Sequence, residues 1–437
     1  MRDRLVLLII IVGLLAFLFV FQNFINTFWA SITMMIFMVV YCSYMYLATK
    51  HQARKMRKHP PVINENYRPF ITIMIPAHNE GPVIAETVEN ICSVDYDNYE
   101  LILIDDRSTD NTPDIIKEIA DENTAIKYLI REKEAFPGKS AVLNDALKIA
   151  KGEAILVFDA DARIKPDFIK NILPKLEPED VGAVQARKVV SNRNDNFLTR
   201  CQDNEMALDT HFQVGRDAVK GAVELRGNGE LIKRAALEDI GGWNNYTITD
   251  DLDMSTRMQI KGWDIRFCKD VCVYEEAILH YIPLIRQRRR WIEGSIRRYL
   301  ENFSAVLCSK DMSLRVTFDM MAYICEFILP FWFFSEIAFQ IFRYIKYDEN
   351  QILSSLIVSV FIFFFFMTGL FYGLRKYNGL KTLENIKQSL ETCIYFLVLW
   401  FPIVVFIVFK IIFTEKTMDW GKTAHGAVKE EVPSLVH

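Results

Sequence analysis

Four absences narrow what this 437-residue chain can be. Its eight cysteines are scattered and none forms a CxxC with a matching second half, which argues against a zinc site and fits a reducing compartment. Cys268 and Cys272, the closest pair, read as two buried residues of one strand. There is no excess of positive charge: 51 Lys and Arg face 55 Asp and Glu, a net charge of −4, so no field points to a nucleic-acid partner. No small-residue cleavage site follows the apolar run Leu5 to Phe21, so a removable signal peptide is not indicated. A P-loop is missing as well. Gly138-Lys139-Ser140 precedes a helix, but Lys133 stands where the first glycine of that motif belongs; Lys139 can still meet a phosphate as a point charge.

Long apolar runs are present at both ends. Leu5 to Phe21 and Phe28 to Ala48 are uncharged and near the roughly 20 residues a bilayer requires, and the polar turn Gln22 to Thr27 between them predicts a helical hairpin. Arg2 and Arg4 precede it, and Lys50, Arg54, Lys55, Arg57 and Lys58 follow. By the positive-inside rule both flanks and the central region are cytoplasmic. Three further stretches, Thr317 to Phe342, Ile352 to Gly373 and Thr392 to Phe413, predict a C-terminal membrane region. The first contains Asp319, Glu326 and Glu336 and is interrupted by Pro330, which fits either a polar path or a helix half in the interface.

Between these ends the pattern alternates. Phe70 to Ile75, Leu101 to Ile104, Ile155 to Phe158 and Val181 to Val184 read as strands, with helical stretches such as Ser140 to Lys151 between them. That alternation predicts an α/β three-layer sandwich with a largely parallel sheet, whose ligands bind at the carboxyl ends of the strands. Those ends carry Ala77-His78-Asn79-Glu80, then Asp105-Asp106, then Asp159-Ala160-Asp161. One acidic turn is ordinary turn chemistry; three at consecutive strand ends form a site. The Asp-x-Asp pair suits Mg²⁺ or Mn²⁺, bound by one or two carboxylates with substrate phosphates completing the shell.

With Asp250-Asp251 and Gln287-Arg288-Arg289-Arg290-Trp291, the order of motifs resembles the family 2 glycosyltransferases of GT-A fold. Within them it is similar to the membrane-integral branch, which includes cellulose, chitin and hyaluronan synthases and glucosyl-diacylglycerol synthases. The likeness covers about Pro69 to Asn302. It implies that Asp106, the 77–80 loop (Ala77, Asn79, Glu80) and Lys139 contact a UDP-sugar, with Asp159 at its diphosphate. It implies that Asp159 and Asp161 hold the metal and that Asp251 is the general base. Asp250, Gln287, Arg290 and Trp291 would border the acceptor and diphosphate, Trp291 by stacking a sugar ring. The glycine loop 227–229 resembles the segment lining the acceptor pocket. Family members often have Glu where Asp250 stands, which leaves open which of the pair acts.

After Trp291 a basic amphipathic helix, with Arg297 and Arg298 beside its apolar face, reads as lying in the membrane interface or packing on the core. Trp420, Thr423 and His425 resemble a gating loop, which would be cytoplasmic only if one C-terminal stretch does not cross. The implied organisation is a membrane hairpin (1–48), a basic linker (49–68), the GT-A domain (69–285), the QxxRW and interface helix (286–316), membrane segments (317–414) and a tail (415–437). The expected activity is that of an inverting, multi-pass plasma-membrane enzyme with its catalytic domain in the cytoplasm. It would extend a β-linked polysaccharide from a UDP-sugar; the alternatives are single-sugar transfer to a lipid such as diacylglycerol, or a non-catalytic receptor. An accessory subunit is neither indicated nor excluded by the residues.

Overall fold

The computed structural model describes residues 5–13, 16, 27–60, 64–123, 125–347 and 352–416. Trp420, Thr423 and His425 lie outside the described residues, as does most of the turn between the first two apolar runs. The second run is part of helix α1 (Thr27–Lys58), whose 32 residues end on Lys55, Arg57 and Lys58. Cations there complement the exposed carbonyls of a helix C-terminus.

Eight strands form one sheet in the order β3-β2-β1-β4-β7-β6-β8-β5. They are β1 (Ile71–Ala77), β2 (Tyr99–Asp105), β3 (Ile126–Ile130), β4 (Ala154–Val157), β5 (Arg163–Ile164), β6 (Val181–Val190), β7 (Glu230–Lys233) and β8 (Asp264–Glu275). The predicted parallel pairing holds from β3 to β4 and again between β6 and β8. The other half is mixed: β7 is antiparallel to both β4 and β6, and β5 to β8. Gly227 and Gly229 have φ of 77° and 70°, a region that costs glycine nothing, and they turn the chain into β7 at the edge where β4 ends. Cys268 and Cys272 do share a strand, on either side of an irregularity that pairs Cys268 with Ala186 and Cys272 with Arg187; Cys268 is buried and Cys272 half-buried.

Successive strand residues feed opposite faces, so the sheet carries two cores. Ile71, Ile73, Ile75, Leu101 and Leu103 pack beneath α2 (Ile84–Cys92), α3 (Thr112–Glu122) and α5 (Phe168–Ile172). Met74, Ile102 and Ile104 meet α4 (Lys139–Ile149), α7 (Arg234–Asp239) and α8 (Asp250–Ile260). The long helix α6 (Phe197–Val219) leads from β6 to the glycine loop and packs against α1; a Cβ on Gly215 would lie 3.1 Å from Met45 Sδ. Strands covered on both faces read as continuous apolar runs, which is why they were visible without alternation.

A third apolar cluster joins α9 (Tyr281–Cys308), α10 (Leu314–Tyr347), α11 (Ile352–Tyr377), α12 (Thr382–Tyr395), a π-helical turn (Phe396–Trp400) and α13 (Phe401–Phe413). Among the described residues, Ser359–Tyr377 and Thr382–Phe413 are long and apolar enough to cross a membrane. Pro330 does not interrupt α10. Asp319 on that helix is buried: it accepts the Ala222 amide at 2.6 Å and the Tyr41 hydroxyl, and pairs with Arg216 at 3.5 Å. The helix after Trp291 packs on the core through its two arginines. Arg298 pairs with buried Glu224 at 2.7 Å and Arg297 with Glu293 at 3.0 Å, so both charges are spent inside the protein. Lys410 of α13 reaches the same Glu293 at 2.6 Å, tying α9 to the apolar C-terminal segment.

Candidate active site

The three acidic strand ends converge, though with different tasks. Asn79 adopts φ 55°, tolerable for an asparagine, and its Oδ1 accepts the amides of Thr109 and Asp110 at 2.6 and 3.3 Å. Ala77 carbonyl accepts the Asp106 amide at 2.8 Å. These bonds lock the ends of β1 and β2 together. Asp106 itself is fully buried, paired with Arg131 at 2.6 Å and Arg107 at 3.0 Å, and it accepts the Gly138 amide at 3.3 Å. Ala77, Asn79 and Asp106 therefore frame the site, while His78, Glu80, Lys139, Asp159 and Asp161 line a cavity of about 1220 Å³.

Lys139, at the start of α4, bridges Asp159 Oδ1 at 2.5 Å and the Gly227 carbonyl at 2.6 Å. Burial alone would lower its pKa, but Asp159 and Asp250 outweigh that and hold the ammonium above its usual value. Asp161, also buried, accepts the Glu276 amide at 3.2 Å. Among the described residues no group of three or more His, Cys, Asp or Glu could hold a metal ion alone. Two hard-oxygen carboxylates in a cavity do fit Mg²⁺ or Mn²⁺, provided that substrate and water supply the remaining ligands.

Asp250 and Asp251 open α8 and face the same cavity. The Leu252 amide donates to Asp251 Oδ1 at 2.8 Å, fixing the carboxylate at the helix N-terminus. The glycine loop lies against it: a Cβ on Gly227 would sit 3.3 Å from Asp251 Oδ2. Burial, then the charge of Asp250, pushes the Asp251 carboxyl up to about 6, against the lowering by the Leu252 amide, Arg226 and Lys139. A carboxyl with a raised pKa loses its ionised form in mild acid. Any activity that needs Asp251 ionised should therefore fall tenfold per unit below about pH 6, an acid limb read from a kcat/KM–pH profile. A limb near pH 4 would instead indicate an exposed carboxylate.

Gln287, Arg290 and Trp291 reach the cavity from α9. The backbones approach closely because Gly294 faces Thr249, where a Cβ would overlap that side chain. Arg290 Nε is buried and has no hydrogen-bond partner among the described residues, an orphaned donor in a cavity of carboxylates. Trp291 lies beside two cations: the Arg288 guanidinium is 4.2 Å from its ring centre and Lys188 is 5.9 Å away.

Several site residues were not legible in advance. Glu230, buried at the start of β7, accepts the Gly227 amide at 2.5 Å; burial, then Asp251, holds its carboxyl above the usual range. Lys188 of β6 pairs with Glu275 at 2.8 Å. Arg226 bridges Asp209 at 2.6 Å and Glu224 at 2.9 Å. Their one local signal is charge inside strand-like or glycine-rich segments. Gln185 accepts the Arg226 amide at 2.7 Å and donates to the Asn228 carbonyl at 2.8 Å, holding the glycine loop. Arg187 and Arg234 serve elsewhere, on the Tyr377 and Gly152 carbonyls.

A profile described as glycosyltransferase like family 2 matches residues 68–294, just over half the chain and the whole of this site. The chain belongs to that family. This family 2 glycosyltransferase is 37% identical over 371 residues to a beta-monoglucosyldiacylglycerol synthase from Nostoc sp. (strain PCC 7120), covering 83% of this chain and 78% of the relative. It is 33% identical over 376 residues to the protein of the same name from Synechocystis sp. (strain PCC 6803), covering 84% and 77%. Among solved structures, the mannosyltransferase PcManGT from Pyrobaculum calidifontis, in complex with GDP-Man and Mn²⁺, superposes with a TM-score of 0.56 at 20% identity, over 82% of this chain and 97% of that one. At that identity the likeness establishes the glycosyltransferase's GT-A fold.

Proposed function

We propose that this family 2 glycosyltransferase moves one sugar from a UDP-sugar to the hydroxyl of a neutral membrane lipid such as diacylglycerol, with inversion at the anomeric carbon. One observation carries the choice of acceptor. The cavity that holds Asp251, Asp159 and Arg290 also has an apolar arm, lined by Met38 of α1, Phe333 of α10, Phe363 and Phe366 of α11, and Phe396 and Trp400 of the π turn. A hydroxyl-bearing head with hydrocarbon tails matches such a cavity, whereas a sugar polymer needs polar partners along its whole length. The names of the relatives from Nostoc and Synechocystis agree with this acceptor. The expectation of a polysaccharide product is set aside in its favour.

In this reading Asp251 takes the proton of the lipid hydroxyl as its oxygen attacks the anomeric carbon, while the bond from that carbon to the diphosphate oxygen breaks. Lys139 and the orphaned Arg290 Nε, two cationic groups on the same cavity, would stabilise the negative charge on the departing diphosphate. Asp159 and Asp161 would hold Mg²⁺ or Mn²⁺, which bound there neutralises the same charge. With the apolar helices in the bilayer and the basic end of α1 at its inner surface, the sugar-binding face looks into the cytoplasm.

The test is product chemistry. Full-length protein in diacylglycerol-containing vesicles, supplied with Mn²⁺ and labelled UDP-sugars, should place the label in an organic-extractable lipid bearing one sugar. High-molecular-mass label removable by a glycosidase would restore the polymer reading. Donor binding without any product would leave a receptor.

A further inference from the structure

We propose that Arg288, which is not one of the QxxRW residues, is a positioning residue that holds Trp291 and Gln287 against the acceptor under the control of Glu205 and Tyr395. The guanidinium is 1% exposed. It stacks 4.2 Å from the centre of the Trp291 indole, and its Nη1 donates to Gln287 Oε1, so both flanks of the motif rest on one side chain. Two further donors go to Glu205 of α6, at 2.7 Å from Nη2 and 3.2 Å from Nε. The same Glu205 oxygen accepts the Tyr395 hydroxyl at 3.1 Å.

Tyr395 is the last residue of α12, and the next turn is the π-helical Phe396–Trp400, whose Phe396 and Trp400 line the apolar arm of the cavity. A π turn places one residue more than an α turn would in the same rise, a departure that recurs at functional sites. The contacts therefore run unbroken from the wall that would hold lipid tails, through Tyr395, Glu205 and Arg288, to the indole and amide beside the reacting hydroxyl. The arrangement needs arginine. Only a planar fork stacks on an indole while binding a carboxylate through two nitrogens, and lysine, a compact point charge, cannot do both. What this arrangement serves is acceptor placement, which rests on the lipid-transfer reading above.

Arg288→Lys and Tyr395→Phe in the full-length protein test it, the second removing a single oxygen atom. Both should raise the KM for the lipid acceptor, by about threefold to tenfold for a contact of this kind, with the dissociation constant for UDP-sugar unchanged. Acrylamide quenching of Trp291, isolated by subtracting the spectrum of the matched Trp291→Phe protein, should increase in both variants. A role confined to fastening α9 to α6 would weaken donor and acceptor binding together, and that result overturns the proposal. So does quenching of Trp291 that is unchanged in Arg288→Lys. If the wild-type protein makes no glycolipid, the lipid-transfer reading fails, and the quenching result still decides whether Arg288 positions Trp291.

Discussion

Replacing Asp251 by Asn is expected to lower sugar transfer by about two to four orders of magnitude, the usual contribution of a positioned general base. The amide keeps the size of the carboxylate and can still accept the Leu252 amide hydrogen, but it cannot take a proton from a hydroxyl. UDP-sugar binding, followed by calorimetry, should persist, because Lys139, Asp159 and Arg290 are untouched. The same variant should be more stable than the parent, with a definite pH dependence. Asp251 has a folded pKa raised from 3.8 to about 6, so the native state binds more protons than the unfolded state between those values. Stability therefore falls as pH rises through that window, and above about pH 6 the parent carries the full penalty, on the order of 3 kcal/mol. Asparagine removes it. Thermal melts at pH 8 should show the variant ahead, and melts at pH 4 should show the two proteins level. Transfer at the parental rate in Asp251→Asn would shift the base assignment to Asp250.

Metal removal should have the next largest effect. Chelation with EDTA, or Asp161→Asn, is expected to reduce transfer by roughly three orders of magnitude, since neutralising charge at a leaving diphosphate contributes several kcal/mol. Mn²⁺ or Mg²⁺ should restore the chelated parent fully and the variant only in part. Full activity in EDTA would leave Lys139 and Arg290 as the sole electrophilic groups and would reassign Asp161 to holding the Glu276 amide.

What could be read from the sequence was whatever is local. The ends of β1, β2 and β4 announce themselves because an apolar run buried on both faces stops abruptly at polar residues. Asp159 and Asp161 follow such a stop and line the cavity, where Asp251 joins them from the start of α8. Asp106 belongs to one too, but Arg131, 25 residues further on, covers it, and no local pattern encodes that pairing. Glu230 and Lys188 enter the site only because β7 inserts between β4 and β6, a long-range choice made by two glycines and the length of α6. Arg297 and Arg298 looked like a membrane-facing basic stripe because their partners, Glu293 and Glu224, cannot be told from solvated acids without the packing of α9.

The bonds around Asp319 also have an order in time. A carboxylate on an apolar helix is costly to leave in hydrocarbon. Chains emerge from the ribosome N-terminal end first and their domains begin folding as they do. Tyr41, Arg216 and the Ala222 amide all precede Asp319 in the chain, so every group that receives it has been synthesised by the time it appears. Placed ahead of Tyr41, the same acid would have to wait until Ala222, the last of these three partners, had been made. Chain order thus lets the helix that carries this charge be received as it is made.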